Sequence, residues 1–270
     1  MEPIKVMING LPGNVASETA RMFLENKDRF ELLPFSFCGP EISESKWKNI
    51  QLICPDKRKE VMEQIDSEKP FIAVDFTLPS AVMDNIKFYC KAGWNFVVGT
   101  TGADYDEIDR LVSENNVTAL AAPNMSIPII LIQSAISYLA ENFPNALEGW
   151  NGEIVESHQK GKVDTSGTAK LMVGYLKKIG INIDVDQIQK IREPEKQQDE
   201  LNIPPEHLTG HGFHTYSLTS PDGTVELGFK HNVLGRRTYA VGTTKAVEFL
   251  HKQITSGIKG KMFTMMDVIK

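Results

Sequence analysis

Apolar residues fill most of positions 4–8, a turn follows at 9–13, and Ala16, Ala20, Phe23 and Leu24 then recur at helical spacing. This pattern predicts a buried strand leading into an amphipathic helix. The alternation continues with strands over 30–37, 71–76, 95–98 and 117–121. Helices are predicted between them over 57–67, 80–92 and 105–116, with Val61 and Ile65 on one face of the first and Ser80 capping the second. Strands alternating with helices of about a dozen residues predict a parallel sheet covered on both faces.

The pattern changes after Asn124. A long apolar-periodic helix spans 127–142, followed by a strand over 152–157, a helix over 166–179 and a strand over 187–192. The polar stretch 193–208 reads as a loop with a helical turn. Segments 211–219 and 224–232 flank Ser220-Pro221-Asp222-Gly223, a turn signal that makes them antiparallel strands. A last helix spans 242–254. The expected class is therefore α/β: a Rossmann-type doubly wound parallel sheet domain over 1–125 and 241–270, and a second α+β domain over 126–240.

Composition narrows the function. The 270 residues carry 29 Lys and Arg against 35 Asp and Glu, and this acidic balance lacks the basic footprint that nucleic-acid binding needs. The longest strongly apolar run, 127–132, is too short to span a bilayer, and no signal peptide is visible at the N-terminus. Cys38, Cys54 and Cys90 are odd in number and far apart, which argues against disulfides and a cysteine-based zinc site. A cytoplasmic protein without a metal is expected.

Gly10-Leu11-Pro12-Gly13-Asn14-Val15-Ala16 joins the first predicted strand to the first helix. Glycines there let the backbone approach a pyrophosphate, and the helix N-terminus supplies N–H donors; an ordinary strand–helix turn is the plainer alternative. At the end of the second strand, residues 34–39 contain no acid for a ribose 2′-hydroxyl, the first being Glu41, and no Arg for a 2′-phosphate. The absence of the acid favours NADPH, with NADH also admitted. Asp75-Phe76-Thr77, Gly99-Thr100-Thr101-Gly102 and Ala122-Pro123-Asn124-Met125 each follow an apolar strand, where open sheets bind ligands.

The densest chemistry lies at 156–170. From Ser157 to Lys170 the one acid is Asp164. His158, Lys160 and Lys162 alternate, which places them on one side if the chain is extended. Ser166-Gly167-Thr168 then opens a helix. A pocket for a small carboxylate with proton donors at hand is the functional reading; a solvated basic loop is the plain one. A His158–Asp164–Ser166 triad is disfavoured, because three residues so close in sequence rarely meet in that geometry. His211 and His214 are three apart and would face opposite sides of a strand, which argues against a metal pair.

Taken together, these segments resemble the dihydrodipicolinate reductases, also called 4-hydroxy-tetrahydrodipicolinate reductases, over nearly the whole chain. Residues 156–169 are similar to the family signature E-x-H-H-x-x-K-x-D-x-P-S-G-T-A, and the form Glu-Ser-His-Gln resembles the plant-type branch. The resemblance implies that His158 and Lys162 are catalytic and that Gln159, Ser166, Gly167 and Thr168 bind substrate. It implies cofactor contacts at Gly10, Leu11, Pro12, Gly13, Asn14, Val15, Phe76, Thr77, Gly99, Thr100, Thr101, Ala122, Pro123, Asn124 and Met125. Gln159 stands where the family has a second histidine, Ala16 where it has a third glycine, Asn14 where many members carry Lys or Arg, and Met125 where Phe is usual. The implied activity is NAD(P)H-dependent reduction of a small cyclic dicarboxylate in lysine and diaminopimelate biosynthesis. The resemblance also implies a homo-oligomer, dimer or tetramer, built through the second domain's sheet, and a plastid stroma location for a trimmed plant or algal form. Hinges are expected near 126–127 and 239–241. The alternatives are a non-catalytic nucleotide-binding homologue, acting as an assembly factor or sensor, and an oxidoreductase with another small carboxylate substrate.

Overall fold

The structure, a computed structural model, describes residues 2–42 and 45–270; Met1, Ser43 and Glu44 lie outside it. In chain order the elements begin β1 (Ile4–Asn9), α1 (Asn14–Glu25), β2 (Phe30–Leu32), β3 (Phe35–Phe37), β4 (Lys46–Trp47), β5 (Ile50–Ile53) and α2 (Arg58–Ser67). They continue β6 (Ile72–Asp75), α3 (Pro79–Ala92), β7 (Asn95–Val98), α4 (Tyr105–Glu114), β8 (Thr118–Ala121) and α5 (Ile127–Asn142). Next come β9 (Asn151–His158), α6 (Gly167–Ile179), β10 (Gln189–Ile191), α7 (Pro194–Asp199), β11 (His211–Thr219) and β12 (Glu226–Leu234). The chain closes with α8 (Arg237–Thr255), β13 (Lys261–Phe263) and α9 (Met265–Ile269).

Two compact units result, Met1–Ile127 with Arg237–Lys270, and Pro128–Arg236. The second ends at Arg236 because α8 starts at Arg237, five residues ahead of the predicted helix. The first unit is built on a six-stranded sheet in the order β13-β8-β7-β6-β1-β2, parallel throughout. Its central strands are apolar on both faces, as burial under helices on both sides requires: Val6, Met7 and Ile8 are fully buried, as are Ala73 and Val74. Phe37, Phe71, Tyr89, Trp94 and Phe96 belong to one core cluster on this sheet.

Two expectations are corrected here, and two short elements are added. Segment 30–37 is two strands, because Leu33 makes the last rung to the large sheet, its N–H donating to the Val6 carbonyl at 2.9 Å, and Pro34 has no N–H to continue. Phe35–Phe37 then pairs parallel with β5 in a separate three-stranded sheet that also holds β4. Ser80 does not cap α3; the helix starts one residue earlier with Pro79 in its first turn, where a missing N–H does no harm. The short β13 and α9 gave no periodic signal, yet β13 forms the edge of the large sheet.

The second unit holds a four-stranded sheet in the order β10-β9-β11-β12, with β10–β9 parallel and the other pairs antiparallel. Ile154 and Tyr216, opposite each other on β9 and β11, belong to one cluster with Met172, Val173 and Leu176 of α6. Among the described residues no helix is long and apolar enough to cross a membrane.

Candidate active site

In the first unit, parallel strands bring the loops after β1, β6, β7 and β8 to one edge of the sheet, the edge at which such sheets bind ligands. Gly10 has φ +100°, and a Cβ there would lie 2.5 Å from the Phe76 carbonyl oxygen, so glycine alone lets the first loop close on the second. The Gly13 N–H donates to the Gly10 carbonyl at 2.8 Å. Gly13 precedes α1 with no side chain capping the helix, which leaves first-turn N–H groups available to an anion. Pro12, Gly13 and Asn14 are exposed, whereas the Leu11 and Met125 side chains are buried. Those two can meet a ligand through backbone atoms alone.

Beneath the loops lies Asp75, fully buried. Its Oδ1 accepts from the Thr77 N–H at 2.8 Å and the Thr77 hydroxyl at 2.6 Å. Its Oδ2 accepts from Asn85 at 3.1 Å and from the Tyr89 hydroxyl at 2.7 Å. The Thr100 hydroxyl donates to the Thr77 carbonyl at 3.0 Å, and Asn9 donates to Tyr89 at 2.9 Å while accepting the Phe37 N–H at 2.8 Å. Burial pushes the Tyr89 phenol well above its usual range, and the Asp75 charge and hydrogen bond push it further. The hydroxyls of Thr77 and Thr100 thus tie adjacent loops together, while Thr101 and Pro123 are exposed, Phe76 and Asn124 half-buried, and Ala122 buried. Gly99 is needed where it stands, since a Cβ would run into the Phe76 ring.

In the second unit the chemistry gathers around Glu156, which is fully buried on β9. Strand alternation puts His158 on the same face. Sheet register sets His214 opposite Glu156 and His231 opposite His214. The His158 and His214 rings lie 5.1 Å apart and those of His214 and His231 4.6 Å apart. Gly212 faces His158, and a Cβ there would come within 3.0 Å of the imidazole. One Glu156 oxygen takes the Arg192 guanidinium and the other accepts the Ser166 N–H at 3.1 Å, with His214 Nε2 at 3.7 Å. Burial alone would raise this carboxyl; the bonds from His214, Arg192 and Ser166 outweigh it and hold the pKa far below the usual carboxylate range.

Arg192 does more than neutralise Glu156. Its Nε donates to the Lys162 carbonyl at 2.7 Å and another nitrogen to the Glu156 carbonyl at 3.3 Å, clamping the loop that carries Lys162 to the strand before it. That loop is not extended. Pairing of β9 with β11 ends at His158, and the Lys162 N–H donates to the Gln159 carbonyl at 2.9 Å across a turn, so His158, Lys160 and Lys162 do not alternate on one side. Lys162 is half-buried and pairs with exposed Asp164 at 2.9 Å, and Gln159 is half-buried beside exposed Lys160.

His158 Nδ1 lies 3.2 Å from the His211 carbonyl oxygen. A carbonyl can only accept, so Nδ1 carries the hydrogen and the buried, unpartnered Nε2 presents a lone pair in the neutral ring. Burial first, then the charges of His214 and Arg192, pull the His158 pKa down to about 4. Ser166 caps α6, accepting the Ala169 N–H at 3.0 Å, and its hydroxyl also bonds His214 Nε2 at 2.8 Å. With Asp164 on Lys162 and Ser166 on His214, no His158–Asp164–Ser166 triad is assembled. Gly167 is exposed and Thr168 half-buried at the start of α6. His211 turns to the other side of the sheet, bonding Ser157 at 2.9 Å.

Glu156, His158 and His214 offer donor atoms within 4.8 Å of one another. Arg192 and the Ser166 N–H already occupy the carboxylate, which disfavours a cation there. Arg192 and His214 escaped the sequence reading as site residues, as did Asn85 and Tyr89. Nothing local marks them; strand register and helix packing bring them in.

The N-terminal profile of the dihydrodipicolinate reductases matches residues 4–125 and the C-terminal profile residues 129–269. The chain belongs to the dihydrodipicolinate reductase family. It is 39% identical over 99% of its length to 4-hydroxy-tetrahydrodipicolinate reductase 2, chloroplastic, of Arabidopsis thaliana, covering 77% of that protein. It is 37% identical to a probable chloroplastic 4-hydroxy-tetrahydrodipicolinate reductase 1 of Oryza sativa, over 98% of this chain and 78% of the other. A dipicolinate-bound dihydrodipicolinate reductase from Paenisporosarcina shares the fold at TM-score 0.64 and 18% identity, each chain covered to 97%. Members of the dihydrodipicolinate reductase family are NAD(P)H-dependent oxidoreductases of lysine and diaminopimelate biosynthesis, and this chain is one of them.

Proposed function

We propose that this reductase converts 4-hydroxy-tetrahydrodipicolinate to tetrahydrodipicolinate with Lys162 as proton donor, the cofactor held by the first unit and the dicarboxylate by the second. The observation that carries the role of Lys162 is the Glu156–Arg192 clamp, which fixes the Lys162 backbone to β9 and the Ser166 N–H to the same carboxylate. The turn at Gly10, closed on Phe76 and followed by an α1 N-terminus with no side-chain cap, fits a dinucleotide pyrophosphate. When bound, the nicotinamide supplies the hydride.

Gly167 and Thr168, at the start of α6, receive one substrate carboxylate on their N–H groups, with Gln159 contributing beside them. The second carboxylate draws Lys162 away from Asp164, which is exposed and holds it weakly. The 4-hydroxyl leaves as water, which sets a C=C bond in conjugation with the ring C=N. The hydride then adds at C4 while Lys162 protonates the ring nitrogen, and the enamine so formed is a tautomer of tetrahydrodipicolinate. His158, neutral at pH 7, works through its bare Nε2, accepting a hydrogen bond from the ammonium or the substrate and orienting the proton. This divides between the two residues the expectation that they supply or relay the proton: Lys162 gives it and His158 steers it. A positioned donor of this kind contributes roughly 10²–10⁴ in rate.

A homo-oligomer, dimer or tetramer, would form through the opposite face of the β10-β9-β11-β12 sheet. That face carries a cavity of about 220 Å³ lined by Val155, Ser157, Phe213, Thr215, Lys230 and Asn232 among others. The medium is aqueous, cytoplasm or plastid stroma. The test is loss of the near-ultraviolet absorbance of NADPH and of NADH, with substrate generated in situ by the preceding synthase. Rapid oxidation is expected. Nucleotide binding without oxidation would favour another substrate or a non-catalytic homologue.

A further inference from the structure

The strand end that reads the adenosine ribose lacks a charged residue of its own over 34–40. It is nonetheless tied to the phosphate turn: the Phe37 carbonyl accepts the Gly10 N–H at 2.8 Å, and the Phe37 N–H goes to Asn9. Cys38 and Gly39 therefore emerge directly beside the turn. Arg58, the first residue of α2, reaches this point from another element. Its guanidinium carbon lies 4.3 Å from the centre of the Phe37 ring, and its buried Nε has no hydrogen-bond partner. Among the described residues no carboxylate forms an ion pair with it. A guanidinium held over an aromatic ring, with a donor unspent, is prepared for a planar or tetrahedral oxyanion.

An acid stands on the other side. A Cβ at Gly39 would collide with both carboxylate oxygens of Glu41. Both charges reach Cys38: burial, Cys54 and Glu41 push its thiol up to about 12, with Arg58 pulling the other way. A ribose diol suits the acid and a 2′-phosphate suits the arginine. Glu41 is exposed and free to swing, whereas Arg58 is half-buried against Phe37. The fixed group is the arginine.

We infer that Arg58 binds the 2′-phosphate of the dinucleotide and sets a preference for NADPH over NADH, an inference that rests on the first unit being the nucleotide site. Binding titrations need no turnover: NADPH, NADH, 2′,5′-ADP and 5′-AMP are titrated against the wild type, Arg58→Met, Arg58→Lys and Glu41→Gln. Arg58→Met should weaken NADPH and 2′,5′-ADP by roughly 10- to 100-fold, the usual weight of a charge-assisted phosphate contact, with NADH and 5′-AMP within about twofold. Arg58→Lys should recover part of the loss, and Glu41→Gln should tighten NADPH relative to NADH. Unchanged NADH binding also shows that the variant is folded. Equal loss for both dinucleotides, or no loss for NADPH, overturns the inference while leaving the nucleotide site in place. A wild type that binds neither dinucleotide overturns the nucleotide-site reading and this inference with it.

Discussion

The turn after β1 and the loop after β9 are both suited to anions, but they are made of different materials. The first is backbone: residues 10–16 carry no charge, and what shapes them is the absence of a Cβ at Gly10 and a buried carboxylate, Asp75, tying the neighbouring loops together from beneath. The second is charge: Lys162 is positioned by Arg192, Arg192 is neutralised by Glu156, and three imidazoles line the strands beside them. A backbone cradle binds without committing to a proton. A charged cluster can deliver one, and needs a larger supporting network because each buried charge requires a partner.

Removing that partner should give the largest effect. Glu156→Ala leaves Arg192 and the Ser166 N–H without their acceptor, and denaturant unfolding should show a loss of about 3–5 kcal/mol. A loss under about 1 kcal/mol would mean the clamp is not what holds the second unit's site. The matching change in the first unit is smaller. Gly10→Ala drives a methyl into the Phe76 carbonyl at a positive φ, with an expected cost of about 1–3 kcal/mol. Calorimetric titration should show NADPH affinity down by about tenfold, while binding of pyridine-2,6-dicarboxylate to the second unit is unchanged. If both ligands weaken together, the division of labour between the regions fails.

The smallest effect is a pH dependence confined to the second region. Burial first, then the charges of His214 and His158, hold the His231 pKa down to about 4, and His158 is held there too, against 6.5 when unfolded. The unfolded chain takes up these protons first as pH falls. The stabilisation is therefore complete above pH 6.5, is lost between 6.5 and about 4, and changes no further below that. Glu156, held low, adds a loss only below its ordinary value of 4.5. Unfolding free energies at pH 7 and pH 5 should differ by about 1 kcal/mol from each imidazole after allowance for solvent screening, and His231→Phe should flatten the difference. An unaltered profile in that variant would remove His231 from the account.

The contrast also explains what the sequence disclosed. Gly10, Gly13, Gly99 and the strand–helix alternation are local signals, so the sheet and its loops could be read from spacing. His158, Lys162 and Ser166 lie in one short segment and were equally visible. Arg192 lies 36 residues from Glu156, and His214 meets it by register across two strands, a relation no periodicity records. Pro34 was in plain view, yet the split of 30–37 depended on where the next hydrogen-bond partner lay. Arg58 carries no local signal, because it stands on α2, two strands beyond the end of β3 that it reaches.

One variant tests the separation of roles directly. In Lys162→Ala, turnover with the cyclic imine substrate should fall by roughly 10²–10³ while the NADPH dissociation constant, measured on the same preparation, stays within about twofold. Turnover and NADPH affinity falling together, or turnover left intact, would contradict a proton-donating second unit acting with a cofactor held by the first.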